Sequence, residues 1–155
     1  MNASLLSSVD MGWQTPQSEL AYVRRVGPIG LDPCTTRDNP VGAPSYFALP
    51  NDGLILEWTG LGLVFVNPPY GRELPAWINK CTISAEAGVE IIALVPARTD
   101  TRWWHGMTPD AICFRKGRIR FVGAPSSAPF PSAYVYWGQN PSEFKDVFID
   151  IGQVF

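Results

Sequence analysis

The positions with the most chemical content are Val66 to Gly71, which read Val-Asn-Pro-Pro-Tyr-Gly and follow directly on the apolar run 61–66. A short apolar run bounded by glycine and proline predicts a buried strand. In open α/β sheets, ligands bind beyond the carboxyl ends of the strands. Pro68 and Pro69 restrict the backbone there, so carbonyl directions are set before any ligand arrives. Asn67 carries a side-chain carbonyl oxygen that accepts hydrogen bonds. The main-chain carbonyl of Pro68 is a second acceptor, and Tyr70 supplies a flat face. Two acceptors beside an aromatic shelf suit the exocyclic amine of a base such as adenine.

The flanking elements must hold that group in place. Thr15-Pro16 reads as an N-cap followed by a proline at the first helical position, and predicts a helix over about 16–26 that ends at Gly27-Pro28. Ile29 to Leu31 predicts a brief strand with Asp32 at its carboxyl end. Residues 33–53, rich in Pro, Gly, Asn, Asp, Ser and Thr, read as one long loop. Residues 54–58 read as a short strand or turn. Leu74, Trp77, Ile78, Cys81 and Ala85 recur at helical spacing, with Gly88 as the stop. Val89 to Val95 is the next apolar strand, stopped by Pro96. Strand, helix and strand in succession predict a βαβ unit, hence a parallel sheet. Further on, 99–107 predicts a short helix. Ala111–Phe114 and Ile119–Val122 predict strands joined by a turn at 115–118. Residues 124–132 read as a proline-broken loop, and 133–137 and 147–151 as two last strands.

The chain has 155 residues, 46% hydrophobic and 17% charged, with a net charge of −2. That profile is globular, and excludes a disordered chain and a uniformly basic nucleic-acid coat. Residues 1–12 read as a loose tail and 13–155 as one domain. No apolar run reaches membrane-spanning length, and no signal-peptide pattern opens the chain. Three cysteines without a CxxC pair, and one histidine, give no metal site and fit a reduced, cytoplasmic setting. The charge is unevenly spread. Residues 98–120 hold Arg98, Arg102, Arg115, Lys116, Arg118 and Arg120, half of all the basic residues. Such a patch suits phosphates, and equally suits a solvated surface.

Taken together, several segments resemble the phage-type DNA N6-adenine methyltransferases, the Dam-like family of phage genomes. These are Trp13-Gln-Thr-Pro16, Leu31-Asp-Pro33 with Asn39, Asp52-Gly-Leu54 with Trp58, and Asn67-Pro-Pro-Tyr-Gly-Arg72. They continue through Leu94–Trp103, Gly117–Phe121 and Ser127–Ser132. The ordered set covers about residues 13–137 and is far more specific than Asn-Pro-Pro-Tyr alone. The resemblance implies a small Rossmann-like methyltransferase fold, mainly parallel with antiparallel C-terminal strands, and S-adenosylmethionine as cofactor. It places Thr15, Pro16, Asp32, Asn39, Asp52, Gly53 and Leu54 at the cofactor, and Asn67, Pro68, Pro69 and Tyr70 at the target amine. Arg72, Arg98, Arg102, Lys116 and Arg118 are then the expected DNA contacts. Where many relatives carry aspartate, position 67 is asparagine, which accepts without a charge. The glycine-rich loop of larger methyltransferases is replaced by Asp32-Pro-Cys34.

The implied reaction is direct methyl transfer to an adenine extruded from the duplex. Bringing the reactants into contact is worth roughly 7–11 kcal/mol. The motif fits three amines equally, those of adenine N6, cytosine N4 and an RNA base. A catalytically inactive nucleic-acid-binding module with the same fold is the alternative of another class. Little chain is left for target recognition, so specificity falls to the loops or to a second subunit, either another copy or an accessory chain. Locally, Asp32 also reads as an Asx-turn, Asp52-Gly53 as an ordinary turn and His105 as a structural histidine.

Overall fold

A computed structural model describes residues 13–59 and 62–155. The expected tail 1–12 and Leu61 lie outside the described residues. One sheet of seven strands runs through the molecule in the order β2-β1-β3-β4-β6-β5-β7. The chain enters through α1 (Gln17–Val26), β1 (Ile29–Thr35) and β2 (Ser45–Ala48). It continues through β3 (Leu63–Val66), α2 (Leu74–Glu86), β4 (Ile91–Pro96) and the single turn α3 (Arg102–His105). It closes with β5 (Ala111–Arg115), β6 (Ser132–Trp137), α4 (Pro141–Phe148) and β7 (Gly152–Val154). β2, β1, β3 and β4 are parallel. β6 is antiparallel to β4, and β5 is antiparallel to both β6 and β7. The βαβ unit and the mixed sheet predicted from the sequence are both present.

Strands β3, β4 and β6 are buried on both faces, as their unbroken apolar runs require. On one face, Leu20, Val23 and Val26 of α1 join Phe144, Val147 and Phe148 of α4 over Phe65, Leu94 and Tyr134. On the other face, Leu74, Trp77, Ile78 and Cys81 of α2 cover Val64, Val66 and Val95. A partly buried ion pair ties α1 to β5. Arg115 Nε and Nη2 donate to the two carboxylate oxygens of Glu19 at 2.9 Å each, and the Tyr134 hydroxyl donates to Oε1 at 2.8 Å. Arg115 is thus taken out of the basic patch.

The structure changes several of the local expectations. Helix α1 starts one residue late: Pro16 itself is the N-cap, in extended geometry, and no side chain caps the helix. β1 runs on past Asp32 to Thr35, through Pro33. A proline inside a central strand removes a ladder donor. The pairing accommodates this, because the register with β2 shifts between Asp32 and Thr35 and the pairing to β3 ends at Leu31. The expected loop 33–53 contains β2, a half-exposed edge strand too short to show a period. Residues 54–58 are a turn. Residues 119–122 form no strand, only a bridge from Val122 to Gln14. Residues 147–151 end a helix: Phe144, Val147 and Phe148 are buried at helical spacing, and the apparent alternation of Val147, Ile149 and Ile151 concealed it. The last strand lies just beyond, at β7. Among the described residues no helix is long and apolar enough to cross a membrane.

Candidate active site

Asn67 follows the last residue of β3. Both of its amide hydrogens are taken: Nδ2 donates to the Trp13 carbonyl at 2.6 Å and to Thr15 Oγ1 at 3.1 Å. A main-chain carbonyl can only accept, so the amide orientation is determined. Its Oδ1 accepts from the Tyr70 hydroxyl at 2.8 Å, which also reaches the Leu94 carbonyl of β4 at 3.1 Å. One lone pair of Oδ1 remains. Among the described residues no backbone donor pairs with the Pro68 carbonyl. Burial pushes the Tyr70 phenol far up, outweighing the opposing charge of Arg98, so it stays a donor.

The Tyr70 ring sits in a group of four aromatics. Phe130 and Phe121 meet it edge-on at 5.3 and 6.2 Å between centroids, and Trp13 lies tilted at 6.1 Å. Trp13 in turn contacts Phe121 at 5.3 Å and Phe130 at 5.6 Å. Trp13, Phe121 and Phe130 fall within segments that the sequence singled out, but no role was assigned to them. The unread signal was one aromatic in each of three separate loop segments, and only the fold reveals that they converge.

Thr15, Asp32, Asn67, Pro68 and Pro69 line one pocket of about 40 Å³, together with Cys34, Thr36 and Pro40. Asp32 is buried, and desolvation raises its carboxyl to about 7, against hydrogen bonds from the Cys34 amide and Thr35. The Cys34 thiol is pushed up by burial and by Asp32, Asp52 and Glu73 around it. Of these carboxylates only Asp32 lines the pocket; Asp52 and Glu73 act on Cys34 from outside its lining. Thr36 Oγ1 is buried with no partner among the described residues.

Other expected cofactor residues stand apart from this pocket. Asn39 adopts a left-handed backbone (φ 46°) and donates to the Ala43 carbonyl at 2.9 Å; its Oδ1 is buried and unpaired. Asp52 Oδ1 accepts from the Leu54 amide at 2.9 Å, an Asx-turn. Gly53 is needed for contact: a Cβ there would meet the Pro33 carbonyl oxygen at 2.0 Å and the Trp77 ring at 3.0 Å. The 52–54 turn is thus packed directly on the carboxyl half of β1. Pro16 ends the segment that carries Thr15 and opens α1.

The cations gather at the same sheet edge. β5 is antiparallel to β6, and β6 to β4, so β5 points the same way as β3 and β4. Arg72, Arg98, Arg102, Lys116 and Arg118 all follow the carboxyl ends of these three strands and are exposed. With strands about 4.8 Å apart, the order β3-β4-β6-β5 spreads them over roughly 15 Å. Among the described residues no three His, Cys, Asp or Glu side chains are grouped as a metal ion would need.

A sheet with a parallel half, helices on both faces and Asn-Pro-Pro-Tyr at its carboxyl edge defines a Rossmann-like methyltransferase fold. The sequence model of the DNA N-6-adenine-methyltransferase (Dam) family matches residues 2–133, so the chain belongs to that family. No curated protein and no solved structure matches it.

Proposed function

We propose that the protein transfers a methyl group from S-adenosylmethionine to the N6 amine of adenine in DNA, within the single domain 13–155. The anchoring of the Asn67 amide carries this reading. With both N–H groups held, its oxygen is presented beside the Pro68 carbonyl, giving two acceptors for the two hydrogens of one amine.

The pocket chemistry fits the cofactor. It is a zwitterion with a second positive charge at sulfur, and the pocket wall carries the Asp32 carboxyl, with Asp52 and Glu73 acting on Cys34 from beyond the lining. The buried, unpaired Thr36 hydroxyl is a further polar group awaiting a ligand. When bound, the cofactor supplies an electrophilic methyl on a sulfonium. The cavity of about 40 Å³ has room for only a water or two, so a nucleoside requires the 36–44 loop to draw outward.

The chain's own residues do the rest. Asn67 Oδ1 and the Pro68 carbonyl accept the amine hydrogens and favour the pyramidal amine, whose lone pair is otherwise delocalised into the ring. Tyr70, braced by Phe121 and Phe130, offers its ring to the extruded base. The target amine held by Asn67 and Pro68 would take the methyl that the cofactor supplies, leaving the bonding pair with the cofactor, and would give up one proton to water. Arg72, Arg98, Arg102, Lys116 and Arg118 hold phosphates around the site.

The deciding experiment is transfer of labelled methyl to unmethylated DNA, followed by nucleoside analysis. The expected product is N6-methyladenine, lost in N67A and Y70A. Label in N4-methylcytosine would change the base. Folded protein with neither transfer nor cofactor binding would overturn the reading in favour of a nucleic-acid-binding module.

A further inference from the structure

Thr15 joins the two halves of the site. It is 6% exposed, and it lines the same pocket as Asp32 while its oxygen accepts from Asn67 Nδ2 at 3.1 Å. A hydroxyl has one proton of its own to give. Among the described residues no acceptor for that proton is found. Thr15 stands directly before Pro16, the N-cap of α1, and no side chain caps that helix. The pocket thus offers a hydroxyl donor at Thr15 and a carboxyl at Asp32. A ligand bearing both a carboxylate and an ammonium matches this pair with its carboxylate at Thr15 and its ammonium at Asp32.

We propose that Thr15 is a positioning residue that couples the cofactor's carboxylate to the Asn67 acceptor through two hydrogen bonds in series. The inference rests on the methyltransferase reading above. The Thr15 hydroxyl donates to the carboxylate, and its oxygen receives the Asn67 N–H. Donation to an anion makes the Thr15 oxygen a stronger acceptor, and hydrogen bonds in such chains strengthen one another by about 10–30% each. Pull on the Asn67 N–H raises the electron density on Oδ1, which faces the target amine. The relay thereby returns to the neutral amide part of the negative character that an aspartate would have there. It also gives an order to assembly, since the acceptor is fully polarised only when the methyl donor is in place.

The test uses the full chain and S-adenosylhomocysteine as the carboxylate-bearing probe. The Asn67 side-chain amide is followed by ¹⁵N NMR, its signal identified by its loss in N67A. In the wild type and in T15S, saturation with the probe should shift this signal downfield. In T15V, which keeps the shape and removes the hydroxyl, saturation should leave it unmoved, and kcat at saturating cofactor should fall about tenfold or more. T15A takes the place of T15V if the valine variant does not fold. An Asn67 shift and a kcat unchanged in the hydroxyl-less variant, with only cofactor KM raised, would overturn the relay and leave the methyltransferase reading standing. A wild type that neither binds the probe nor transfers methyl would overturn both.

Discussion

The exchange of Asn67 for aspartate sets two physical effects against each other. A carboxylate acceptor would stabilise the positive charge developing on the attacked amine, which argues for a faster enzyme. The surroundings of residue 67 argue the opposite. The group that faces the Trp13 carbonyl at 2.6 Å is an N–H donor, and in N67D it becomes an oxygen. Two acceptors then confront each other at a half-buried position, and the Trp13 carbonyl loses the one partner it has among the described residues. Leaving such a group without its partner costs about 1–3 kcal/mol. Moving the carboxylate away breaks the approach to the amine instead. A loss of about 1–3 kcal/mol in the transition state is a rate lower by roughly 5- to 150-fold. The clash disappears when the new carboxyl is protonated, because its O–H can donate to Trp13. The folded-state pKa is therefore raised above the unfolded one, and N67D should be least impaired in stability at low pH and lose stability as pH rises. Labelled methyl transfer and thermal melting between pH 5 and 8 measure both effects. An N67D protein as active as the wild type, with an unshifted melt at pH 8, would refute the argument.

The other expectations concern separate parts of the molecule. The Asp32 carboxyl is raised from 3.8 to about 7, so the free fold loses stability as pH rises through that interval, by at most about 4 kcal/mol; D32N should melt higher at pH 8 while binding S-adenosylmethionine more weakly, as thermal melting and calorimetry will record. In the wild type, affinity for the cationic cofactor should strengthen with pH below about 7 and level off above it, read by titration across pH 5.5–8.5. G53A places a methyl 2.0 Å from the Pro33 carbonyl, so the 52–54 turn must shift; a fall of about 2 kcal/mol or more in denaturant unfolding is expected, with loss of cofactor affinity. E19Q leaves Arg115 without its carboxylate and should cost about 3 kcal/mol in unfolding while kcat at saturation barely moves. Replacing Arg98 and Arg118 together with glutamine should flatten the salt dependence of DNA binding by about two phosphate contacts, measured as the slope of log affinity against log salt.

How far the residues could be read follows from the kind of signal each carries. Leu63–Val66 and Ile91–Pro96 are fully buried runs beside prolines, and their strands and the helix between them were plain. β2 escaped notice because an edge strand of four residues has neither length nor period. β7 was displaced because alternating apolar residues at 147–151 look like a strand while Phe144 and Val147 follow a helical spacing. At the site, Asn67 and the prolines stand out by chemistry and position. The partner of the Asn67 amide does not, because it is a main-chain carbonyl at Trp13, 54 residues away, and any residue type supplies one. Phe121 and Phe130 converge on Tyr70 only through the sheet order β4-β6-β5, which local patterns do not encode. Arg115 read as a surface cation because its partner Glu19 lies 96 residues away.

A methyl transfer from a cationic donor to a polyanion asks one sheet edge to hold opposite charges, and the strand order separates them. The carboxylates Asp32, Asp52 and Glu73 belong to β1 and to the turns packed around β1 and β3. Arg98, Arg102, Lys116 and Arg118 follow β4 and β5 on the other side. On the proposed function, this separation lets a chain of net charge −2 present a DNA face: the acidic side would serve the cofactor and the basic side the phosphates. Asn67 stands between the two, at the end of β3. A carboxylate there would add a second acidic group to a pocket in which burial already raises Asp32 to about 7. It would hold the sulfonium more tightly in the ground state as well as at the transition state, and such uniform binding does not accelerate transfer. A neutral amide whose oxygen gains negative character only when the donor's carboxylate engages Thr15 avoids that ground-state trap. The asparagine, the Trp13 carbonyl that requires it and the threonine beside it are on this argument one device.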